Sequence, residues 1–112
     1  MEQIGFVRWF RNRYRGVLIF HIPNGGARHI VTGKRLQEEG AVAGIPDLFI
    51  PEWLCWIEMK RKDGGTVSFE QKRIHEYLKK IGHTVIIGNG ATDASEKIIE
   101  LRKEIFITSY TK

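Results

Sequence analysis

The sequence predicts an α/β fold in which a mixed central sheet is flanked by helices. Three observations carry that expectation. Apolar patterns of helical and strand type alternate in the order α-β-(α)-β-β-α-β-α. Two strand-like runs, Leu48-Phe49-Ile50 and Trp53 to Lys60, are separated only by Pro51-Glu52, which makes the middle strands a hairpin-like pair. Two capping boxes, Ser68 with Gln71 and Asp93 with Glu96, mark helix starts.

The elements follow in order. Glu2 to about Tyr14 reads as a helix, with Ile4, Val7, Trp9, Phe10 and Tyr14 as its apolar stripe and Gly16 ending it. Val17-Leu18-Ile19-Phe20-His21-Ile22 is a continuous apolar run and predicts a buried strand, broken by Pro23-Asn24-Gly25-Gly26. Residues 27–39 are weakly helical. Pro51 closes the next short strand, and Asp63-Gly64-Gly65 turns the chain after Lys60. The helix opened by Ser68 offers Phe69, Ile74, Tyr77, Leu78 and Ile81 to a core, and Gly82 caps its end. Thr84-Val85-Ile86-Ile87 is a strand, and the last helix runs from the Asp93 capping box to about Lys103. The segment Ile105-Phe106-Ile107-Thr108 is open between an edge strand and a partner-binding arm.

The 112 residues suit one domain, with no repeat or linker-like segment to divide them. The single cysteine, Cys55, cannot form an intrachain disulfide and reads as buried and inert. No apolar stretch approaches a membrane span, and Met1-Glu2-Gln3 lacks a signal-peptide pattern, so a cytoplasmic protein is expected. The charge is one-sided. Residues 1–36 hold seven Lys or Arg against one acid, whereas the remainder holds eleven against twelve. A basic region of that kind is the footprint expected for a phosphate backbone, and equally that of a solvated helix face.

The chemistry is concentrated near the middle of the chain. Along a strand, side chains alternate between faces. Glu58 and Lys60 therefore share a face, and Asp47 comes beside Glu58 if the two strands pair across Pro51-Glu52. The pattern is Pro-Asp, ten residues, Glu-Met-Lys. Hydrolysis of a phosphodiester needs a hard cation, and Mg²⁺ is usually held by one or two carboxylates. Asp47 and Glu58 supply carboxylates, and the Met59 carbonyl is a further candidate ligand. Lys60 supplies an ammonium for the attacking water or the developing charge. Read alone, the tripeptide is a common strand end, and Asp47 fits a turn-former after proline.

Four segments together resemble the virus-type replication-repair (VRR-NUC) nucleases of the PD-(D/E)XK superfamily. They are Ile22-Pro23-Asn24-Gly25-Gly26 with Arg28, Gly44-Ile45-Pro46-Asp47-Leu48, Glu58-Met59-Lys60, and Ser68-Phe69-Glu70-Gln71. The resemblance implies a restriction-endonuclease-like fold with an αβββαβ core. It implies Mg²⁺, with Mn²⁺ as a substitute, held by Asp47 and Glu58, with Lys60 as the catalytic lysine and Gln71 orienting the site or touching DNA. Glu2 is the candidate for a further metal ligand on the first helix. A homodimer related to Holliday-junction resolvases is also implied, acting on branched DNA in a bacterial cell or phage-infected host.

Candidate DNA contacts are Arg8, Arg11, Asn24, Gly25, Gly26, Arg28, Lys34, Arg35, Arg61, Lys62 and Ser68. His21, His29, His75 and His83 lack metal-ligand spacing and read as non-catalytic, with His21 in the core or near the site. The expected activity is a metal-dependent endonuclease on structured DNA, such as four-way junctions. The alternatives are a non-catalytic DNA-binding module, and a nuclease acting on flap or duplex DNA or on RNA.

Overall fold

The computed structural model describes residues 2–23 and 30–110, with side chains for all of these except 30–33 and 104–110. Helix α1 (Glu2–Arg13) leads to strand β1 (Phe20–His21) and helix α2 (Ile30–Glu38). Strands β2 (Leu48–Ile50) and β3 (Cys55–Lys60) follow, then α3 (Phe69–Lys80), β4 (Thr84–Asn89) and α4 (Ala91–Tyr110). The four strands lie in the order β1-β2-β3-β4. The first two pairings are antiparallel and β3 with β4 is parallel, so the sheet is mixed as expected.

One face of the sheet carries the core. Leu48 and Ile50 of β2, Cys55 and Ile57 of β3 and Ile86 of β4 meet Phe6 and Phe10 of α1 and Ala94 and Ile98 of α4. Phe6 and Phe10 are fully buried, which is worth about 1.5–3 kcal/mol each. The approach of α4 is close: a Cβ on Gly88 would lie 2.5 Å from the Ala94 Cβ, so β4 needs glycine there. Phe10 and Tyr14 each meet the Trp53 ring edge-to-face, and the Arg102 guanidinium lies 4.6 Å above that ring. Cys55 is buried, and desolvation pushes its thiol up to about 12, which leaves it unreactive. Among the described residues, no helix is long and apolar enough to cross a membrane.

Several elements differ from their sequence-based expectation. The run 17–22 pairs only at Phe20–His21, and Leu18 and Phe20 are exposed while Ile19 is buried. This strand is a sheet edge, where half of an apolar run can face water. In α1 it is Phe6 that is buried, and Ile4 is exposed. Strand β3 begins at Cys55 rather than Trp53, because Pro51–Trp53 forms a 3₁₀ turn and Leu54 turns left-handed (φ 47°) to reverse the chain.

Helix α4 starts at Ala91, two residues before Asp93. The Asp93 carboxylate instead accepts the Asn89 N–H at 2.9 Å and pairs with Lys97 at 2.9 Å. The helix continues through 105–108, so that segment is not an edge strand. In α3 the expected stripe is largely wrong. Phe69, Tyr77 and Ile81 are exposed, and the buried residues are His75 and Leu78.

Candidate active site

The face of the sheet opposite the core carries the candidate chemistry. Strand β2 pairs with β3 so that Leu48 faces Ile57, and the same register continued by one residue sets Asp47 opposite Glu58. The expected pairing across the Pro51-Glu52 turn is therefore present. The Asp47 carboxylate accepts the Met59 N–H at 2.8 Å, while the Asp47 carbonyl accepts the Ile22 N–H at 2.8 Å. Both ends of this residue are held, one on each neighbouring strand.

Glu58 is 2% exposed. Burial pushes its carboxyl up to about 8, and the Asp47 carboxylate adds to the rise through a hydrogen bond and like charge, against the opposing pull of Lys60. Glu58 thus ionises with difficulty beside Asp47 unless a cation joins them. That is what a cation-binding carboxylate pair would show, and two carboxylates suffice for Mg²⁺ completed by water and phosphate.

Helix α3 completes the site from above. Ser68 opens it with the expected capping box: its hydroxyl accepts the Gln71 N–H at 3.1 Å, and the Gln71 side-chain oxygen accepts the Ser68 N–H at 2.9 Å. The same Gln71 oxygen accepts a hydrogen bond from the Lys60 ammonium at 2.8 Å. One turn further, His75 Nε2 lies 3.2 Å from Glu58 Oε1. Burial, helped by the Lys79 and Lys60 charges, pushes His75 below its ordinary value and keeps its ring neutral. Helix residues four apart rise about 6 Å, and strand residues two apart rise about 6.6 Å. Gln71 and His75 therefore match Lys60 and Glu58 one for one.

The loop before Asp47 is pressed against the start of α3. A Cβ on Gly44 would lie 2.5 Å from the Glu70 carbonyl oxygen, and its φ of +93° is itself a glycine conformation. Only glycine permits that approach, which brings the Pro46-Asp47 segment to the first turn of α3.

The remaining candidates lie as follows. The Glu2 carboxylate accepts the Ala91 N–H at 3.0 Å and so caps α4. Among the described residues, no three His, Cys, Asp or Glu side chains converge as a metal-binding group, so Glu2 does not join Asp47 and Glu58. Arg8 and Arg11 are exposed on α1 and flank a groove closed by Phe20 and His21. His21 is exposed at this groove, not in the core. Lys34 and Arg35 are exposed on α2, with Arg35 paired to Glu39 at 3.3 Å. Arg61 and Lys62 directly follow Lys60 and are exposed, with Asp63 3.7 Å from Arg61. Asn24, Gly25, Gly26 and Arg28 lie outside the described residues.

Sequence reasoning missed His75 as a site residue. The available signal was its position four residues after Gln71, on the face that α3 turns to the sheet.

A solved structure described as a VRR_NUC domain protein is similar to this chain, with a TM-score of 0.69 and 21% identity over 88% of this chain and 81% of that one. The chain has the fold of a VRR_NUC domain. Its mixed four-stranded sheet and flanking helices are the architecture that this likeness establishes. No family model and no curated protein matches the sequence.

Proposed function

We propose that the chain is a metal-dependent nuclease of the VRR-NUC kind that hydrolyses phosphodiester bonds in structured DNA. The observation that carries this reading is the convergence of Asp47 and Glu58 on one sheet face, with the Lys60 ammonium fixed beside them by Gln71.

In this reading Asp47 and Glu58 hold Mg²⁺ or Mn²⁺, and the Met59 carbonyl is a candidate further ligand. The cation, when bound, neutralises phosphate charge and acidifies the attacking water. The rest falls to the chain itself. Water attacks phosphorus and gives up a proton to bulk water as the P–O ester bond breaks, the leaving oxygen takes a proton from bulk water, and negative charge grows on the non-bridging oxygens. The Lys60 ammonium carries three N–H donors. One is taken by Gln71 at 2.8 Å, which leaves two for the attacking water or the growing charge. Gln71 is in turn fixed by the Ser68 N–H, so Lys60 is aimed by a helix cap rather than by a free side chain. Glu2 stands outside this set as the cap of α4.

The basic first third of the chain, with Arg8, Arg11, Lys34 and Arg35 exposed, supports a polyanionic substrate. Four-way junctions and a homodimer are the specific form proposed, because a two-fold dimer presents two sites to two symmetric strands. The test is cleavage of duplex, flap and four-way junction DNA with Mg²⁺, alongside Lys60→Ala and a mass measurement in solution. The expected result is nicking that Lys60→Ala abolishes while DNA binding persists. Firm junction binding without cleavage in Mg²⁺ or Mn²⁺ overturns the enzymatic reading in favour of a binding module.

A further inference from the structure

Among the described residues, two polar or charged side chains are buried, Glu58 at 2% and His75 at 5% exposure, and they face each other. Burying two ionisable groups in contact is costly, and an aliphatic residue at 75 would pack at no such cost. Leu78, one turn along the same helix, shows the apolar solution this face accepts. The imidazole therefore calls for a reason beyond packing.

The geometry points to His75 as a positioning residue whose Nε2–H holds the Glu58 carboxylate toward Asp47 and so sets the affinity of the carboxylate pair for a divalent cation. This rests on the nuclease reading above. Two features support it. The contact is direct, 3.2 Å from His75 Nε2 to Glu58 Oε1. The two contacts of α3 are in register with the strand, Gln71 on Lys60 and His75 on Glu58, so each charged side chain that β3 gives the site has its own helix partner. A lysine or arginine at 75 would compete with the cation, and an apolar residue would leave Glu58 free to turn. Partners of this kind behind a ligand typically change metal affinity by about 10–100-fold.

The test compares native protein with His75→Gln, His75→Asn and His75→Phe by calorimetric titration with Mn²⁺ in the absence of DNA, after urea unfolding has established that each is folded. The glutamine amide nitrogen reaches about as far as Nε2, whereas that of asparagine reaches only to the level of Nδ1. The expected result is Mn²⁺ affinity lowered about 10–100-fold in His75→Asn and His75→Phe and largely restored in His75→Gln. The Mn²⁺ concentration that half-activates cleavage should move in parallel. Mn²⁺ affinity in folded His75→Asn within twofold of native overturns the inference, and so does a His75→Gln as weak as His75→Asn. The Gln and Asn pair decides the matter even if His75→Phe does not fold. If native protein neither binds Mn²⁺ nor cleaves DNA, the nuclease reading fails, and this inference falls with it.

Discussion

The buried carboxyl of Glu58 makes the stability of the metal-free protein depend on pH in an unusual direction. Its folded value stands at about 8 against an ordinary 4.5, because of burial first and the neighbouring Asp47 second. Between those values the folded chain keeps a proton that the unfolded chain has released. Stability from this group is therefore full below about pH 4.5 and is lost as pH rises through 8. A shift of that size corresponds to at most roughly 5 kcal/mol over the full range, at 1.36 kcal/mol per unit. The cleanest window is pH 6.5 to 8. His75, held below its ordinary value, is neutral there in the fold, its unfolded titration near 6.5 enters native and Glu58→Gln protein alike, and Asp93 is ionised throughout. Across that window linkage gives a loss of about 1.5 kcal/mol from Glu58 alone. Urea unfolding in EDTA, at half-unit steps for native and Glu58→Gln protein, measures it. Native stability should fall across the window while that of Glu58→Gln stays flat by comparison. Adding Mg²⁺ should recover stability at pH 8 in the native protein only, since binding to the folded state alone stabilises it. Parallel curves for the two proteins would refute the argument, for they would mean that Glu58 is ionised in the fold at neutral pH.

Other perturbations separate the roles of neighbouring residues. Gly44→Ala should cost about 2–4 kcal/mol in urea unfolding and lower cleavage, because the new Cβ adopts φ +93° and meets the Glu70 carbonyl at 2.5 Å. Ser68→Ala removes only the helix cap and should cost about 1 kcal/mol, with cleavage reduced modestly. Gln71→Ala removes the cap partner and the Lys60 contact together, so it should cost a similar amount of stability but much more activity; equal activity in the two variants would rule out the aiming role of Gln71. Glu2→Gln should cost less than about 1 kcal/mol and leave Mn²⁺ affinity unchanged, as a helix cap predicts; a tenfold loss of affinity would restore Glu2 as a ligand.

What the sequence disclosed follows the range of the forces involved. The Ser68–Gln71 cap was legible because its donors and acceptors lie three residues apart. The shared face of Glu58 and Lys60 was legible because a strand alternates with period two. Helix α3 misled because hydrophobic periodicity assumes that the buried face is the apolar face. Here Gln71 and His75 are turned inward to serve Lys60 and Glu58, while Phe69, Tyr77 and Ile81 are left outside. The start of α4 was illegible for another reason: its first N–H is capped by Glu2, 89 residues earlier, and no local pattern records that. The apolar run of β1 could not disclose that its strand lies at the sheet edge, because edge position belongs to the topology and not to the segment.

The core and the candidate site are set by one constraint, the register of the β2–β3 hairpin. Leu48 facing Ile57 and Ile50 facing Cys55 put four buried side chains on the α1–α4 face. The same register continued by one residue puts Asp47 opposite Glu58 on the other face. A slip of one residue would turn apolar side chains of β2 into the site and carry Asp47 toward the core. Folding thus selects the register through hydrophobic burial, and the carboxylate pair is brought together as a consequence, against its own repulsion. The turn that holds the register carries Leu54 left-handed at φ 47°, a conformation costly for a leucine, and the burial on either side of it outweighs that cost. If the pair holds a divalent cation as proposed, the electrostatic cost carried by Glu58 is the part of folding that the cation would relieve.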